Sequence, residues 1–439
     1  MNKNFFLKCD TCGTIYRIRM QAGFFCSVPF VYQCPECQVV SKGEVELPVD
    51  KAPHIMLTNL KNSSQTDVQD DQFAIQLSTE LYTDKMMKSK GGITHSMEYL
   101  SPFMQYISDG KDLETQRIAE LTQKIIECIN SNSADYSALW NLYNKNSVKY
   151  LYKKLKELHL LKSKMKYYNF EKMKDSEKIS FMPHLIFEPI MEENFFIEKS
   201  QPVKESIIQL RKKNFLKLKE MREFIGTNLL KYLDNLVRIN ESFITYYNYI
   251  LPVIVNECVG SYKIQMIKQR WGISQTDFEY LKKYYAENYE NLKDMILTII
   301  ILQNLKLRGS ISAFHPNFYR DFEKPFKGKD YIRDFNQVIT KVGNRLKVMF
   351  YDTDIIVDKV MLEKVFDNDI RNSINHEDYM YDYNSQKITF MNKGKQKDLF
   401  LIEFADILFN GNLLAVIFWE LYMTLIEVLD LKRDEMLII

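Results

Sequence analysis

Two short cysteine pairs near the N-terminus constrain this chain more than any other feature. They are "CDTC" at residues 9–12 and "CPEC" at residues 34–37. Each C-x-x-C is a tight turn that aims two thiolates at one point. Two such turns complete a tetrahedral four-sulfur site of the kind zinc prefers. Cys9, Cys12, Cys34 and Cys37 are therefore the expected ligands. Cys26, in "GFFCSVPF", is left over and reads as packing. A closed four-thiolate site leaves the ion no open position for water, so the zinc is expected to be structural rather than catalytic. The competing reading is two redox-active pairs without metal.

The stretches around the pairs, "TIYRIRM", "PFVYQ" and "QVVSKGEVEL", read as short strands. A strand before and after each pair resembles the zinc-ribbon family. On that resemblance residues 1–50 are expected to form a small β zinc ribbon. Such modules touch nucleic acids or proteins, or serve only as architecture. Lys3, Lys8, Arg17, Arg19 and Lys42 are balanced by acids here, so charge does not choose among these roles.

The rest of the chain is of another kind. At 439 residues it exceeds the usual single domain. Only 14 Gly and 11 Pro argue for long helices and against an all-β architecture. A net charge of +2 means that any nucleic-acid footprint is a local patch. Residues 51–110 are polar and irregular and are expected to be a linker with some local structure. Helical periodicity starts near Asp112, which sets a basic helical region at 111–202. Pro183, Pro189 and Pro202 place a boundary before a helical domain over 203–439, its core at about 274–435. Helices are expected at about 204–224, 227–258, 274–307, 329–350, 358–377 and 398–430. Between the last two, "YMYDYNSQKITFM" alternates like two strands around an Asn384-Ser385 turn. The fold class is thus mainly α, a helical bundle with a small N-terminal β zinc ribbon.

Two apolar runs bear on location. "MILTIIIL" (295–302) is too short to span a bilayer, and "LLAVIFWELYMTLIEVL" (413–429) carries Glu420. Both read as core helices, and no membrane partner is expected. "MNKNFFLKCDTC" does not read as a secretory signal. The expected location is the cytoplasm, where thiols stay reduced.

Two basic stretches could contact RNA. "YNKNSVKYLYKKLKELHLLKSKMKYYNFEKMK" interleaves lysines with Tyr150, Tyr152, Tyr167, Tyr168 and Phe170, and "RKKNFLKLKEMR" has similar character. Lysines supply the salt-dependent phosphate term, and aromatics offer faces for unpaired bases. Lys153, Lys154, Arg211 and Lys212 are the candidate contacts. The bland reading is an amphipathic helix, with Leu151, Leu155, Leu158 and Met165 inward and lysines solvating the other face.

The last candidate site lies in "IRNSINHEDYMYDY" (370–383). Leu362, Phe366, Ile370 and Ile374 recur every four residues, so 358–377 reads as one helix with an apolar stripe. Asn372 and His376 lie about 40° apart on the helical wheel, whereas Arg371 lies about 140° from His376. "RNSINH" (371–376) resembles the motif of the HEPN domains of prokaryotic defence systems and toxins. These are helical bundles marked by Arg, a polar residue and then His after four to six intervening residues. The hairpin and long final helix that follow also suit that context.

The resemblance implies a HEPN-like bundle acting as a metal-independent endoribonuclease, working as a homodimer that joins two copies of the motif. Arg371, Asn372 and His376 would be its catalytic residues and RNA its substrate. The neighbouring 2′-OH would attack phosphorus and leave a 2′,3′-cyclic phosphate. Histidine is suited to moving that proton, and arginine offers a planar charged fork to the phosphate oxygens. Zinc would take no part in the chemistry. An abortive-infection role against phage, with a phage or host trigger, is also inherited from the family.

Other readings of the same residues stand beside this one. A His one turn after an Asn can simply close a helix, and an Arg after Asp367 and Asp369 can be a surface ion-pair partner. Some family members have lost catalysis. The alternative function is a zinc-ribbon nucleic-acid-binding regulator or sensor scaffold whose helices only dimerise. Arg308 and His315 ("RGSISAFH") satisfy the looser spacing, but Gly309 and Pro316 mark a loop. No P-loop, G-x-G-x-x-G, H-E-x-x-H or G-x-S-x-G occurs. Cys128 and Cys258 read as core residues, and "YDTD" (351–354) as a loop or cap.

Overall fold

The computed structural model describes residues 2–431 apart from 22, 24, 48–54, 79–80, 84, 90–101, 109–111, 159–171, 227, 260–263, 274–277, 312 and 314–356. The expected helix at 329–350, the "YDTD" acids, His315, Met165, Tyr167, Tyr168 and Phe170 lie outside the described residues. The chain forms two compact units. The first takes Met1–Ile125, Tyr246–Tyr284 and Asn372–Phe409, and the second takes Ile126–Thr245, Tyr285–Arg371 and Asn410–Ile439.

Among the described residues, three sheets belong to the first unit. β1 (Asn2–Cys9), β2 (Ile15–Gln21), β3 (Ser27–Gln33) and β4 (Val40–Glu46) surround the cysteine pairs, as the sequence leads one to expect. β5 (Met56–Lys61), β6 (Ser63–Gln65), β7 (Phe73–Ser78) and β8 (Met87–Lys88) come from the stretch expected to be a linker. They complete a five-stranded sheet in the order β6-β1-β2-β7-β8 and a three-stranded sheet β3-β4-β5. The polar look of that stretch has a physical cause. β5 and β6 lie at sheet edges, where outward side chains meet water. β2 and β4 alternate half-buried and buried positions, so each offers one face to a shared core. That core gathers Phe5, Leu7, Tyr16, Ile18, Phe30, Tyr32, Ile75 and Leu77 around Cys9 and Cys34. Phe30 pairs with Gly43 across β3 and β4, and its ring fills the space a side chain at 43 would need.

The third sheet is β9 (Tyr379–Asp382), β10 (Lys387–Asn392) and β11 (Lys395–Phe400), antiparallel throughout. The first hairpin is where the alternation put it. β11 replaces the expected start of the final helix at 398. Lys393 (φ 49°) and Gly394 (φ 78°) both adopt left-handed backbone, the two-residue turn that matches strand twist and returns the chain as a third strand.

The remaining described elements are helical: α1 (Pro102–Ser108), α2 (Asp112–Asn144), α3 (Val148–Glu157), α4 (Asp175–Ile179), α5 (Phe187–Gly226), α6 (Leu229–Val259), α7 (Ile264–Arg270), α8 (Phe278–Leu292), α9 (Ile296–Arg308), α10 (Lys359–Val365), α11 (Asn368–Asn375) and α12 (Leu401–Leu429). The fold is mainly α with a β start, as expected. The prolines do not place a boundary at 202. Pro189 falls in the first turn of α5, where its missing N–H has no partner to lose, and Pro202 is carried inside the helix.

In the second unit α12 is buried at every position from 411 to 426. Trp419 meets Trp140 edge-on at 5.9 Å, and Tyr422 stacks on Tyr232 at 5.4 Å. The helix is long and apolar enough to cross a membrane, yet 89% of its most apolar window is buried inside the protein. Helices apolar on all sides are what a large core requires. Its most deeply buried charge, Glu420, is met by His184 Nε2 at 3.1 Å and Lys204 Nζ at 2.5 Å. Burial pushes this carboxyl up, but the hydrogen bonds and charges of His184 and Lys204 outweigh it and hold it below the usual carboxylate range.

Candidate metal centre and the Arg-Asn-His helix

The two cysteine turns are built alike. Cys9 N–H donates to Thr14 O and Gly13 N–H to Cys9 O, both at 2.9 Å. Cys34 N–H donates to Val39 O at 2.9 Å and Gln38 N–H to Cys34 O at 2.8 Å. The fifth residue of each turn is left-handed, Gly13 at φ 79° and Gln38 at φ 63°. This geometry brings Cys9, Cys12, Cys34 and Cys37 together, with all four sulfurs within 4.8 Å of one another. The Cys9–Cys37 and Cys12–Cys34 separations are 3.6 and 3.5 Å. A tetrahedron of sulfurs about 2.3 Å from zinc has edges of about 3.8 Å, so the cluster has the right size for that ion.

The charges favour a cation too. Burial works against the Cys9 thiolate, but the backbone N–H groups of Cys12 and Thr11 outweigh it and lower its thiol. The Thr14 hydroxyl and backbone lower Cys12. At Cys37 a backbone N–H from Val39 is outweighed by burial and by the sulfurs of Cys34, Cys12 and Cys9, and the thiol is pushed up to about 12. Thiolates this close repel one another until a cation neutralises them. Tyr16 and Tyr32, 4.9 Å apart, wall the centre on its buried side. Burial first, and the Cys34 sulfur second, raise the Tyr16 phenol far above its ordinary range. The four cysteines can thus hold a metal ion. Cys26 is exposed and stands outside the cluster.

The helix expected over 358–377 is two helices. Phe366 leaves helical backbone (φ −96°, ψ 43°), and Asp367 starts a new helix by accepting the N–H groups of Asp369 (2.8 Å) and Ile370 (3.1 Å). The apolar stripe survives the break, since Leu362, Phe366, Ile370 and Ile374 are all buried. α11 ends at a two-bond C-terminal cap. Glu377, left-handed at φ 55°, donates to Ile374 O at 3.2 Å, and Asp378 donates to Ser373 O at 2.8 Å. His376 is the last residue before that reversal. Its N–H closes onto Asn372 O at 3.0 Å, and its side chain lies on an exposed residue.

The boundary between the two units falls between Arg371 and Asn372. Arg371 reaches Glu290, 81 positions earlier in the chain. Its Nη2 and Nε meet Glu290 Oε1 at 2.7 and 3.2 Å, and its guanidinium lies 5.8 Å from the centre of the Tyr289 ring. Burial pushes Glu290 up, but Lys293 and Arg371 outweigh it and hold this carboxyl below the usual range. Ser373, between Asn372 and Ile374, faces inward and donates to Met391 O of β10 at 2.7 Å. Arg308, in the rival spacing, turns back to Asn304 Oδ1 at 2.7 Å.

The basic candidates divide. Lys154 is taken up by Asp135 at 2.5 Å, on a helix whose Leu151 and Leu155 are buried, so the bland reading describes it better. Lys153 is exposed. Arg211 and Lys212 are exposed on α5 and line a groove of about 470 Å³ with Ile208 and Phe215.

Sequence reasoning missed Glu290, Asn384 and Gln386, which serve these sites by tertiary contact. No spacing announces them. Gln386 is buried although it stands in the polar run Asn384-Ser385-Gln386-Lys387. Comparison with protein-family models, with curated proteins and with solved structures finds no match to this chain.

Proposed function

We propose that this chain is an endoribonuclease of the HEPN type, carrying a structural zinc ion on Cys9, Cys12, Cys34 and Cys37. One observation carries the reading. The short helix α11 presents the Arg-Asn-x-x-x-His series and stops at His376, leaving that residue exposed at the helix end and followed at once by a hairpin. A proton-moving group must be reachable by its substrate, and an exposed imidazole at a rigid, capped terminus meets that need. Arg371 is held by Glu290 on one edge and Tyr289 on one face. Such a fixed guanidinium is suited to stabilising charge that grows on a phosphate. Arg371 and His376 do not share a helix face. The reading therefore calls for a second copy of the chain, whose motif supplies the complementary group in a homodimer. Zinc when bound supplies rigidity to the β region and no reaction step. The further reading, a cytoplasmic abortive-infection effector released by a phage or host trigger, follows from the family alone.

A second reading has its own observation. The exposed Arg211, Lys212, Ile208 and Phe215 line one stripe of α5, where phosphate and base could bind without being cut. On that reading the protein is a zinc-containing RNA-binding regulator.

The two are separated by the ends of the RNA. The purified zinc-loaded chain is incubated with a short RNA and with the same RNA carrying 2′-deoxyribose at the cleaved position, beside Arg371→Ala and His376→Ala. The nuclease reading expects 2′,3′-cyclic phosphate and 5′-hydroxyl ends from wild type only, and an intact deoxy-substituted strand. Products with 5′-phosphate ends, or equal cleavage by His376→Ala, would refute it. Equal binding by all three proteins with no cleavage favours the regulator.

A further inference from the structure

The metal centre and the hairpin behind His376 belong to the same unit, and the side chain of Asn384 joins them. Asn384 sits in the β9–β10 turn. Its Oδ1 accepts the Gln33 N–H at 3.0 Å, and its Nδ2 donates to Gln33 O at 2.8 Å. Gln33 is the last residue of β3 and precedes Cys34 directly. The carboxamide thus satisfies both backbone polar groups of one residue on the edge of the β3-β4-β5 sheet, as a neighbouring strand would.

The turn that carries Asn384 is itself fixed. Asp382 accepts the N–H groups of Asn384 (2.9 Å) and Ser385 (3.3 Å) and the Ser385 hydroxyl (2.8 Å). Two residues later, Gln386 repeats the device in a buried setting. Its Oε1 accepts Ile273 N–H at 3.1 Å, and its Nε2 donates to Ile273 O at 2.8 Å. At the other end of the hairpin, Met391 N–H donates to Asp378 O at 2.9 Å, and Ser373 donates to Met391 O. A path of backbone and hydrogen bonds therefore runs from Cys34, through the adjoining Gln33 and its bonds to Asn384, along the backbone of β10, to the capped end of α11 where His376 stands.

We propose that Asn384 is a positioning residue that couples occupancy of the four-cysteine centre to the order of the hairpin and of the helix end at His376. Binding a metal draws Cys34 into a fixed turn. That fixes the Gln33 peptide, and a fixed peptide holds the carboxamide of Asn384. Linkage makes the coupling reciprocal: loosening the hairpin must weaken the metal by the same factor that metal loss loosens the hairpin. The bearing of this coupling on RNA cleavage rests on the reading of residues 371–376 given above; the coupling itself does not.

The test uses the full chain loaded with zinc, and its readouts involve no RNA. Zinc transfer to a chromophoric chelator is timed for wild type, Asn384→Ala and Asn384→Asp, with Asn375→Ala, exposed at the end of α11, as control. Asn384→Asp keeps an acceptor for Gln33 N–H and loses the donor to Gln33 O. Transfer is expected to be about 5- to 10-fold faster in Asn384→Ala, intermediate in Asn384→Asp and unchanged in Asn375→Ala. Amide hydrogen exchange is followed in parallel over 376–392. Asn384→Ala is expected to exchange faster there while α12 keeps its protection. Zinc transfer from Asn384→Ala at the wild-type rate overturns the proposal. So does unchanged exchange over 376–392 in that variant.

Discussion

Replacing Lys204 by Met removes the ammonium 2.5 Å from Glu420 Oε2, in a core where Glu420 is only 2% exposed. The carboxylate then keeps the hydrogen bond with His184 at 3.1 Å. Breaking a buried pair by deleting one partner costs about 3–5 kcal/mol, because the other charge is left uncompensated. His184 remains, and the Lys204 side chain is about one third exposed. We therefore expect a loss at or just below the bottom of that range, about 2–3 kcal/mol. Glu420→Leu removes the charge that needs a partner and should stay within about 1 kcal/mol of wild type. The double variant should resemble Glu420→Leu, which puts the loss in the orphaned charge and not in lost lysine packing. Urea unfolding followed by far-ultraviolet circular dichroism reads all four proteins. The sign with pH is fixed by direction. The folded pKa of Glu420 lies below its unfolded value, so its stabilisation is complete above the unfolded pKa of about 4.3 and fades as pH falls through the folded one. The penalty of Lys204→Met should follow the same course, being largest near neutrality. A Lys204→Met variant as stable as wild type, or a Glu420→Leu variant that loses as much as Lys204→Met, would refute the reasoning.

Three further outcomes are expected. Gly43→Ala would set a methyl 2.3 Å from Phe30 Cζ and 2.8 Å from Leu60 Cδ2, and should cost about 1–3 kcal/mol in thermal unfolding; Phe30→Leu in the same chain should recover part of it. Glu290→Gln releases Arg371 from a half-exposed ion pair, so stability at pH 7 should change by less than about 1 kcal/mol. Because the Glu290 carboxyl is depressed in the fold, even that difference should vanish as pH falls below the carboxylate range, as denaturation at pH 7 and pH 3 would show. Arg211→Ala with Lys212→Ala should weaken RNA binding and reduce the slope of log affinity against log salt by about 1–2, measured by fluorescence anisotropy; an unchanged slope removes α5 from the RNA surface.

What the sequence disclosed follows the range of the forces involved. The cysteine turns were legible because ligand spacing is a local constraint, and the strands around them because alternation is too. The hairpin at 379–392 was legible for the same reason. The strands at 56–65 were not, since these short edge strands leave most of their side chains at least partly exposed; β7 does alternate, with Phe73, Ile75 and Leu77 buried, but it stands alone in a polar stretch and reads only as local structure. The break at Phe366 was hidden because the four-residue stripe continues across it, and only Asp367, read as a cap, could have shown it. The prolines of α5 misled because an isolated proline argues for an end, while a helix buried along one side can carry one. The partners of the candidate site were beyond reach. Glu290 meets Arg371 across 81 positions and Asn384 meets Gln33 across 351, and nothing in either neighbourhood signals the other.

The two halves of the cysteine centre rest unequally. At the left-handed position of the first half stands Gly13, which has no Cβ to crowd. In the second half it is Gln38, whose Cβ makes the same backbone turn costlier by about 1–2 kcal/mol. An ion that departs should therefore be let go from the later cysteines first, with the earlier pair keeping its grip longest. The strand end that slackens at that moment is the one gripped from residue 384, so a chelator or oxidant at the protein's first fifty residues would be felt, before any wider unfolding, three hundred and fifty residues away.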